Sequence, residues 1–260
     1  MSNPSLVRRD DRDGVAWLTL DRPQAYNALS LDLMADLQTA LDAIAVDRSV
    51  RVVVLGGAGR GFCAGHDLRE MRSNADRAFH EAVFARCSKL MLSLVRLPQP
   101  VIARVHGIAT AAGCQLVASC DLAVAADSAR FGTPGVNIGL FCSTPMVALS
   151  RSVGRKQSMQ MLLTGDMIDA PTALAFGLVN EVVPESELDA AVAALAAKIA
   201  AKSAYTLRVG KQAFYRQAEL GLEEAYAYTA QVMVENLLAR DAGEGIDAFL
   251  EKRAPVWCDG

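Results

Sequence analysis

Two hydrophobic patterns divide this chain of 260 residues near position 185. Before that position, short apolar runs typical of buried strands, such as residues 15–20 and 50–55, alternate with stretches in which apolar residues recur at helical spacing. After it no strand-like run remains. The helix-like segments there cover residues 185–202, 204–217, 222–240 and 243–252. The first pattern predicts an α/β fold, and the second predicts a helical C-terminal region.

The chain is long enough for one large core with a helical extension, and two unrelated folding units are not expected. We therefore expect a core at residues 1–200 and a helical region at residues 201–260. The C-terminal segments are amphipathic and rich in alanine. Because their apolar surface exceeds what one small core needs, they are predicted to form an interface between copies of the chain.

Charge and hydropathy argue against two classes of partner. The chain has 26 basic and 29 acidic residues, a formal net charge of -3, and its short basic runs are diluted by acids. We therefore expect no nucleic-acid partner. The most apolar stretch, residues 101–126, is interrupted by polar residues such as Arg104 and Asp121, and residues 1–14 lack the apolar centre of a secretion signal. We therefore expect no membrane partner.

The cysteines indicate neither a metal site nor a disulfide framework. The six cysteines include no CxxC pair and show no ligand-like spacing with the three histidines. Reduced thiols are typical of cytoplasmic proteins. On this basis we expect no metal ion and a cytoplasmic location.

Two segments rich in small residues follow strand-like runs. Residues 56–61, Gly-Gly-Ala-Gly-Arg-Gly, fit neither the dinucleotide-binding nor the P-loop spacing, which disfavours a nucleotide loop. Residues 107–115 lead into a short helix-like stretch, whose first N–H groups could hold an anion or a developing negative charge. Tight helix packing explains the same small residues equally well, so the pattern alone leaves both interpretations open.

A series of motifs runs in order along residues 14–257. The motifs are residues 62–68 (Phe-Cys-Ala-Gly-His-Asp-Leu), 100–107, 120–125, 131–134 (Phe-Gly-Thr-Pro), 137–140, 163–165, 175–179 and 183–184. Together they resemble the crotonase family, also called the enoyl-CoA hydratase/isomerase family, and residues 104–145 resemble one subgroup of it in particular. The resemblance implies a crotonase-like spiral of ββα turns with a helical C-terminal region, assembled as a homotrimer or hexamer. It also implies an acyl-coenzyme A ligand, with coenzyme A as part of the substrate and no separate cofactor.

The resemblance assigns an oxyanion hole to the backbone N–H groups of His66 and Ala112. Fixed donors of this kind oppose negative charge that appears on the thioester oxygen only in the transition state, and each contributes about 3 kcal/mol. The His66 imidazole either has no role or acts as an acid/base or a holder of a substrate carboxylate. Its Ala-Gly-His-Asp context also resembles the methylmalonyl-CoA decarboxylases of the family.

Both acids that hydratases of this family use are missing. Gln115 and Gly135 stand at the positions of the two glutamates that would hold and activate water. A glutamine amide does not exchange protons near neutral pH, and glycine has no side chain, so ordinary hydration of an enoyl-CoA lacks its catalyst. Gln115→Glu together with Gly135→Glu is expected to raise hydration of crotonyl-CoA, whereas either substitution alone is not.

The resemblance also suggests where the rest of the ligand lies. The substrate-binding candidates are Gln24, Ala25, Ala64, Asp67, Leu68, Cys142 and Lys252. The nucleotide end is expected near residues 24–25 and 67–68, the acyl chain near Cys142, and the 3′-phosphate near Lys252. Two of these residues have simpler explanations, because Asp67 can cap the next helical turn and Cys142 can be an apolar filler.

Three functions remain open on the sequence. The first is an enzyme of the acyl-CoA lyase/isomerase class that forms a thioester enolate without the paired glutamates, as a decarboxylase, an isomerase or a thioester hydrolase. The second is an acyl-CoA-binding protein without catalysis. The third is an enoyl-CoA hydratase of low activity, in which Gln115 holds the water.

Overall fold

The computed structural model describes residues 5–74 and 76–260 of the chain. Its strands are β1 Val7–Arg12, β2 Val15–Leu20, β3 Val52–Gly57, β4 Val101–Val105, β5 Ile108–Thr110, β6 Leu122–Ala126, β7 Arg130–Gly132, β8 Ile168–Asp169 and β9 Glu181–Val183. Its helices are α1 Leu31–Ala45, α2 Leu68–Ser73, α3 Arg77–Arg96, α4 Ala112–Ser119, α5 Pro145–Ser152, α6 Arg155–Thr164, α7 Ala170–Phe176, α8 Leu188–Ala200, α9 Ala204–Gln217, α10 Leu222–Leu237 and α11 Arg240–Glu251.

Six strands form the main sheet, in the order β1-β2-β3-β4-β6-β9. β1 is antiparallel to β2, and the other pairs are parallel. Strand β3 lies inside this sheet and is buried on both faces. Val53 and Leu55 join the core that includes α1, α3 and α4, whereas Val52 and Val54 pack in the cluster that includes α8. This double burial explains the unbroken apolar run of β3.

A second, smaller sheet of β5, β7 and β8 positions the start of α4. Strand β5 pairs with β7 on one side, and an isolated bridge between Cys63 and Ala109 joins it to the segment after β3 on the other. Helix α4 begins at Ala112, two residues after β5 ends. The sheet thus places the N-terminus of α4 beside residues 63–66.

A buried polar cluster attaches the C-terminal helices to the core. Lys211 of α9 donates to the carbonyl oxygens of Leu94 and Gln99, both at 3.0 Å, and to Asp121 Oδ2 at 2.7 Å. Tyr215 OH donates to Asp121 Oδ1 at 2.9 Å. Because these hydrogen bonds satisfy both charges, they compensate for burying Lys211. Helix α10, further along, has no buried residue among those described.

The predicted α/β core and helical C-terminal region are confirmed. The predicted division at residues 200/201 falls in the turn between α8, which packs on the main sheet, and α9. The strand-like run at residues 15–20 is preceded by a further strand, β1, which its sequence Val-Arg-Arg-Asp-Asp-Arg does not predict. Only Val7 of this edge strand is buried, so it lacks the alternating pattern of a half-buried strand.

Among the described residues, no helix by itself has both the length and the hydropathy of a membrane span. The pair Glu185–Ala200 and Ala204–Gln217 reaches that length and composition only when joined across a bend of 101°.

Candidate functional site

The first predicted donor, the N–H of His66, is oriented by the segment before α1. Leu29 forms a parallel bridge with His66, in which Leu29 N–H donates to Gly65 O at 2.7 Å and Asp67 N–H donates to Leu29 O at 3.1 Å. Because Gly65 C=O and His66 N–H belong to one peptide group and point in opposite directions, the His66 N–H faces away from Leu29. Within the described residues it donates to no protein acceptor.

The second predicted donor, the N–H of Ala112, is the first of α4. Ala111 caps this helix in a backbone conformation with φ 50° and ψ -116°, its N–H bound to Gly132 O at 2.9 Å and its carbonyl accepting from Gln115 N–H at 3.0 Å. The N–H of Ala112 has no acceptor within its own helix, as is general at helix starts, and none elsewhere among the described residues.

These two donors lie on segments in direct contact. Gly65 has φ 91°, and a Cβ atom added there would lie 3.2 Å from Ala112 N, 3.0 Å from Thr110 O and 2.9 Å from Ala111 Cβ. Glycine is therefore required at position 65 both by its positive φ and by the close approach of the α4 N-terminus. Since the His66 N belongs to the next peptide group, two unpaired backbone donors are close neighbours.

Gln115 lies one helical turn after Ala112 and is buried. This is the placement expected of the position at which the hydratases have their first glutamate. Its Oε1 accepts a hydrogen bond from Cys87 Sγ on α3, at 3.9 Å. The side chain thus lies against a thiol that stays protonated near neutral pH, because burial raises the pKa of Cys87 to about 12. The glutamine amide does not titrate either, so neither group exchanges a proton there.

Position 135, expected to hold the second acid in hydratases, is closed to any side chain. Gly135 belongs to a 3₁₀ turn, Pro134–Ile138, and its carbonyl accepts from Leu140 N–H at 2.9 Å. A Cβ atom at Gly135 would lie 2.4 Å from Leu140 O and 2.9 Å from Cys142 Sγ. Glutamate at 135 therefore requires the 135–142 segment to refold, which removes the basis of the expected gain from Gln115→Glu with Gly135→Glu.

The imidazole of His66 lies in apolar surroundings. Its ring packs edge-on against Phe84 of α3, with ring centroids 5.3 Å apart, and its Nε2 is buried without a hydrogen-bond partner among the described residues. Burial lowers the pKa of His66 to about 4, because it removes solvation from the charged form of the ring. The side chain is therefore neutral at pH 7.

Asp67 is engaged in structural contacts. Its Oδ1 accepts from the N–H groups of Arg69 and Glu70, both at 3.1 Å, which makes it the N-cap of α2, and its Oδ2 pairs with Arg22 at 3.0 Å. Burial alone would raise the pKa of Asp67, but the Glu70 N–H and the Arg22 guanidinium outweigh it and hold the pKa below its ordinary value. Asp67 is therefore an ionised cap rather than a proton donor.

The other predicted ligand residues differ in their exposure and in the contacts that they make. Gln24 and Ala25 form a 3₁₀ turn next to Arg22, whose pairing with Asp67 joins this turn to the start of α2. Leu68 and Gln24 are exposed, and Cys142 is buried. The Ala64 N–H is bound to Tyr26 O at 3.0 Å, so this N–H already has a protein acceptor. Lys252 is exposed at the end of α11, where its placement near the nucleotide stays a prediction.

Arg22 and Phe84 are two residues of this region that sequence reasoning did not single out. Each contacts its partner across a long stretch of chain, Arg22 with Asp67 and Phe84 with His66. Neither lies in a motif or at a diagnostic spacing, so only the folded structure reveals them.

Comparison with known proteins places the chain beside a group of animal proteins. It is 49% identical over 257 residues to enoyl-CoA hydratase domain-containing protein 3 of Xenopus laevis, covering 99% of this chain and 87% of that protein. The human protein of the same name is 47% identical in a crystal structure that covers 97% of this chain, with a TM-score of 0.94. This is the subgroup that residues 104–145 resemble, and that expectation is confirmed.

The same relatives correct one expectation. The Xenopus, rat, human and mouse proteins, 44–49% identical to this chain, are named as mitochondrial. The expected cytoplasmic location is wrong on this finding, which points to mitochondria instead. The reasoning failed because reduced thiols indicate a reducing compartment but do not identify which one.

Solved structures and family membership agree with the crotonase-like fold. A crystal structure titled enoyl-CoA hydratase from Mycobacterium smegmatis is 54% identical, covers 98% of this chain and 99% of its own, and superposes with a TM-score of 0.96. The family described as enoyl-CoA hydratase/isomerase matches residues 10–260. The expected crotonase fold is thereby confirmed, and the chain belongs to the enoyl-CoA hydratase/isomerase family.

Proposed function

We propose that the chain is an enzyme that binds an acyl-coenzyme A thioester and stabilises negative charge on the thioester oxygen through His66 N–H and Ala112 N–H. The observation that carries this proposal is the pair of unpaired backbone donors on contacting segments. Ala112 is fully buried, and a buried backbone donor without a partner is costly, so its N–H beside that of His66 favours a ligand oxygen between them. Each such donor contributes about 3 kcal/mol to the stabilisation of an enolate or tetrahedral oxyanion.

The coenzyme A moiety is proposed to leave the site along residues 22–25 and 64–68. The Arg22 to Asp67 ion pair holds these two segments together, and Gln24 and the apolar Leu68 are exposed beside it. Exposed backbone and an apolar side chain suit an adenine ring and a pantetheine arm, which need few charged contacts. We assign the 3′-phosphate to Lys252 in the assembled protein.

The reaction proposed for this site is one that forms an enolate without a side-chain base. Gln115 is an amide, Gly135 has no room for a side chain, and Asp67 is held in a cap and an ion pair. Hydration, and isomerisation by proton shuttling, both need a group that exchanges protons. The environment of the proposed oxyanion hole therefore favours a reaction whose electron pair comes from the substrate.

Decarboxylation of a 2-carboxyacyl-CoA meets this requirement. The bond between C2 and the carboxylate carbon breaks, and its electron pair forms the thioester enolate, which the two N–H groups stabilise. Carbon dioxide leaves, a water molecule gives a proton to C2, and the hydroxide left behind passes to the solvent. No oxidant, metal ion or protein base takes part in this balance, so the neutral surroundings of His66 and Gln115 suffice.

A panel of acyl-CoA substrates followed by mass spectrometry tests this proposal. Malonyl-type thioesters are expected to lose 44 mass units (the mass of CO₂, about 44 Da) with the coenzyme A retained, whereas crotonyl-CoA is expected not to gain water at an enzymatic rate. Rapid hydration of crotonyl-CoA would contradict the proposal. Saturable binding of every thioester without turnover would show instead that the chain is an acyl-CoA-binding protein without catalysis.

We further propose that the chain assembles as a homotrimer or hexamer through its C-terminal helices. Several apolar side chains on α9–α11 are exposed, among them Leu222 (77%), Phe249 (82%) and Leu250 (70%). Apolar surface of this extent on neighbouring helices is typical of a covered interface. Light scattering at micromolar concentration is expected to give three or six times the 27.7 kDa chain mass, and a monomer alone would contradict the assembly.

A further inference from the structure

A chain of hydrogen bonds leads from a buried charge to the N–H of His66. Arg22 Nη1 donates to Ala28 O at 2.8 Å, and Leu29 N–H donates to Gly65 O at 2.7 Å. Ala28 C=O and Leu29 N–H belong to one peptide group, and Gly65 C=O and His66 N–H belong to the next. Two peptide groups thus connect the guanidinium to the proposed oxyanion donor in an unbroken series.

We propose that Arg22 is a positioning residue that orients and polarises the His66 N–H through this chain. Donation by Arg22 draws electron density from the Ala28 to Leu29 peptide, which makes Leu29 N–H a stronger donor to Gly65 O. The same effect on the Gly65 to His66 peptide makes His66 N–H a stronger donor to the thioester oxygen. This inference rests on the proposed function of that N–H.

The surroundings of Arg22 suit such a role. Its side chain is 19% exposed and that of Asp67 is 15% exposed, so water screens the charge only in part. The pairing with Asp67 compensates for burying the charge, while Nη1 stays directed at Ala28 O. Arg22 therefore keeps a fixed charge at the start of the peptide chain.

The second donor has a different source of polarisation. The carbonyl of Ala111, in the same peptide group as Ala112 N–H, accepts from Gln115 N–H, so this donor starts the hydrogen-bond ladder of α4. A helix start carries a partial positive charge. No helix begins at His66, since α2 starts two residues later, at Leu68. In this arrangement Arg22 supplies positive charge behind the His66 N–H, and the start of α4 supplies it behind the Ala112 N–H.

A simpler role for Arg22 would be to anchor the turn at residues 22–28. Its N–H donates to Asn27 Oδ1 at 2.9 Å, and its carbonyl accepts from the N–H groups of Ala25 and Asn27. These backbone contacts do not involve the guanidinium. A test must therefore separate loss of the guanidinium at Ala28 O from loss of the ion pair with Asp67.

The test is the infrared band of a ¹³C-labelled thioester carbonyl in butyryl-CoA, measured free and bound to the full chain. This saturated ester has no 2-carboxylate, so it reports binding alone. The bound band of the unmodified protein is expected at lower frequency than the free band. Arg22→Gln is expected to lose about 10–30% of that downshift for each link weakened. Arg22→Lys is measured as well, because lysine keeps a charged donor but lacks the planar fork that directs Nη1 at Ala28 O and Nη2 at Asp67, and it is expected to retain more of the downshift than Arg22→Gln.

Two variants serve as controls. Arg51→Gln removes a guanidinium with the same 19% exposure and an acidic partner, Asp259, and is expected to keep the full downshift. Asp67→Asn breaks the ion pair but retains an N-cap side chain and leaves the Arg22 contact with Ala28 O, so it is expected to lose less of the downshift than Arg22→Gln.

Three results would overturn the inference. They are a full downshift in folded Arg22→Gln, a downshift in folded Arg22→Lys no larger than that in Arg22→Gln, or a loss in Asp67→Asn equal to that in Arg22→Gln, which would mean that anchoring alone matters. If the unmodified protein binds butyryl-CoA without any downshift, the proposed oxyanion hole itself fails, and this outcome is distinct from the other three.

Discussion

Gly65→Ala probes the contact between the two proposed donors. The added methyl group would lie 2.9 Å from Ala111 Cβ, 3.0 Å from Thr110 O and 3.2 Å from Ala112 N, and the residue has φ 91°. A side chain at such a φ costs about 1–2 kcal/mol. The forced separation of packed segments costs a further ~1–3 kcal/mol. The free energy of unfolding should therefore fall by about 2–5 kcal/mol.

Gly139→Ala is the matched control for the backbone part of this cost. Gly139 has φ 78°, but a Cβ atom there would have no other atom within 4 Å. Its substitution should cost only the conformational part, about 1–2 kcal/mol. Subtracting the two effects isolates the collision at the site.

Urea unfolding at one fixed protein concentration, followed by tryptophan fluorescence, measures both variants. Gly65→Ala should also weaken acyl-CoA binding, because it separates His66 N–H from Ala112 N–H, whereas Gly139→Ala should not. Equal unfolding free energies for the two variants, within about 0.5 kcal/mol, would refute the close contact on which the site depends.

Three further predictions concern neighbouring positions. Gln115→Glu combined with Gly135→Glu should not raise hydration of crotonyl-CoA, because Leu140 O occupies the space at position 135; a clear gain in a hydration assay would show that the segment refolds. Ala111→Gly should raise the free energy of unfolding by about 1 kcal/mol in urea, since φ 50° with ψ -116° disfavours a side chain, and a loss of stability would contradict the strain. The pKa of His66, lowered by burial from 6.5 to about 4, should cost stability as pH falls from 6.5 towards 4, because the unfolded chain takes up the proton first. Between pH 7 and pH 5 this amounts to about 2 kcal/mol, and comparison with His66→Gln should show a smaller loss in the variant.

Much of the fold was predictable because its burial leaves periodic patterns. The four C-terminal helices follow apolar spacing, and their bounds in the structure differ from the sequence-based ones by a few residues at most. Strand β1 was not predicted because most of its residues are charged, as is common at the edge of a sheet. The Asp13-Gly14 pair after it, with φ 52° and 74°, is a strong hairpin signal that would have revealed it. Helix α2 has no buried residue, so it leaves no apolar periodicity at all.

The candidate site divides along the same line. Motif residues such as His66 and Ala112 could be proposed from the sequence because the proposed role needs only their backbone. The lack of room for a side chain at position 135 could not be predicted, because the blocking atom is the backbone carbonyl oxygen of Leu140, and any residue has such an oxygen. The contact of Arg22 with Ala28 O and Asp67 likewise depends on how two distant segments pack.

A crystal structure of the protein with a bound, unreactive acyl-CoA would show whether His66 N–H and Ala112 N–H hold the thioester oxygen. This oxygen is expected within about 2.7–3.1 Å of both His66 N and Ala112 N, the distance typical of an oxyanion hole. A thioester oxygen bound elsewhere, with either N–H unpaired or bound to a protein carbonyl, would contradict it.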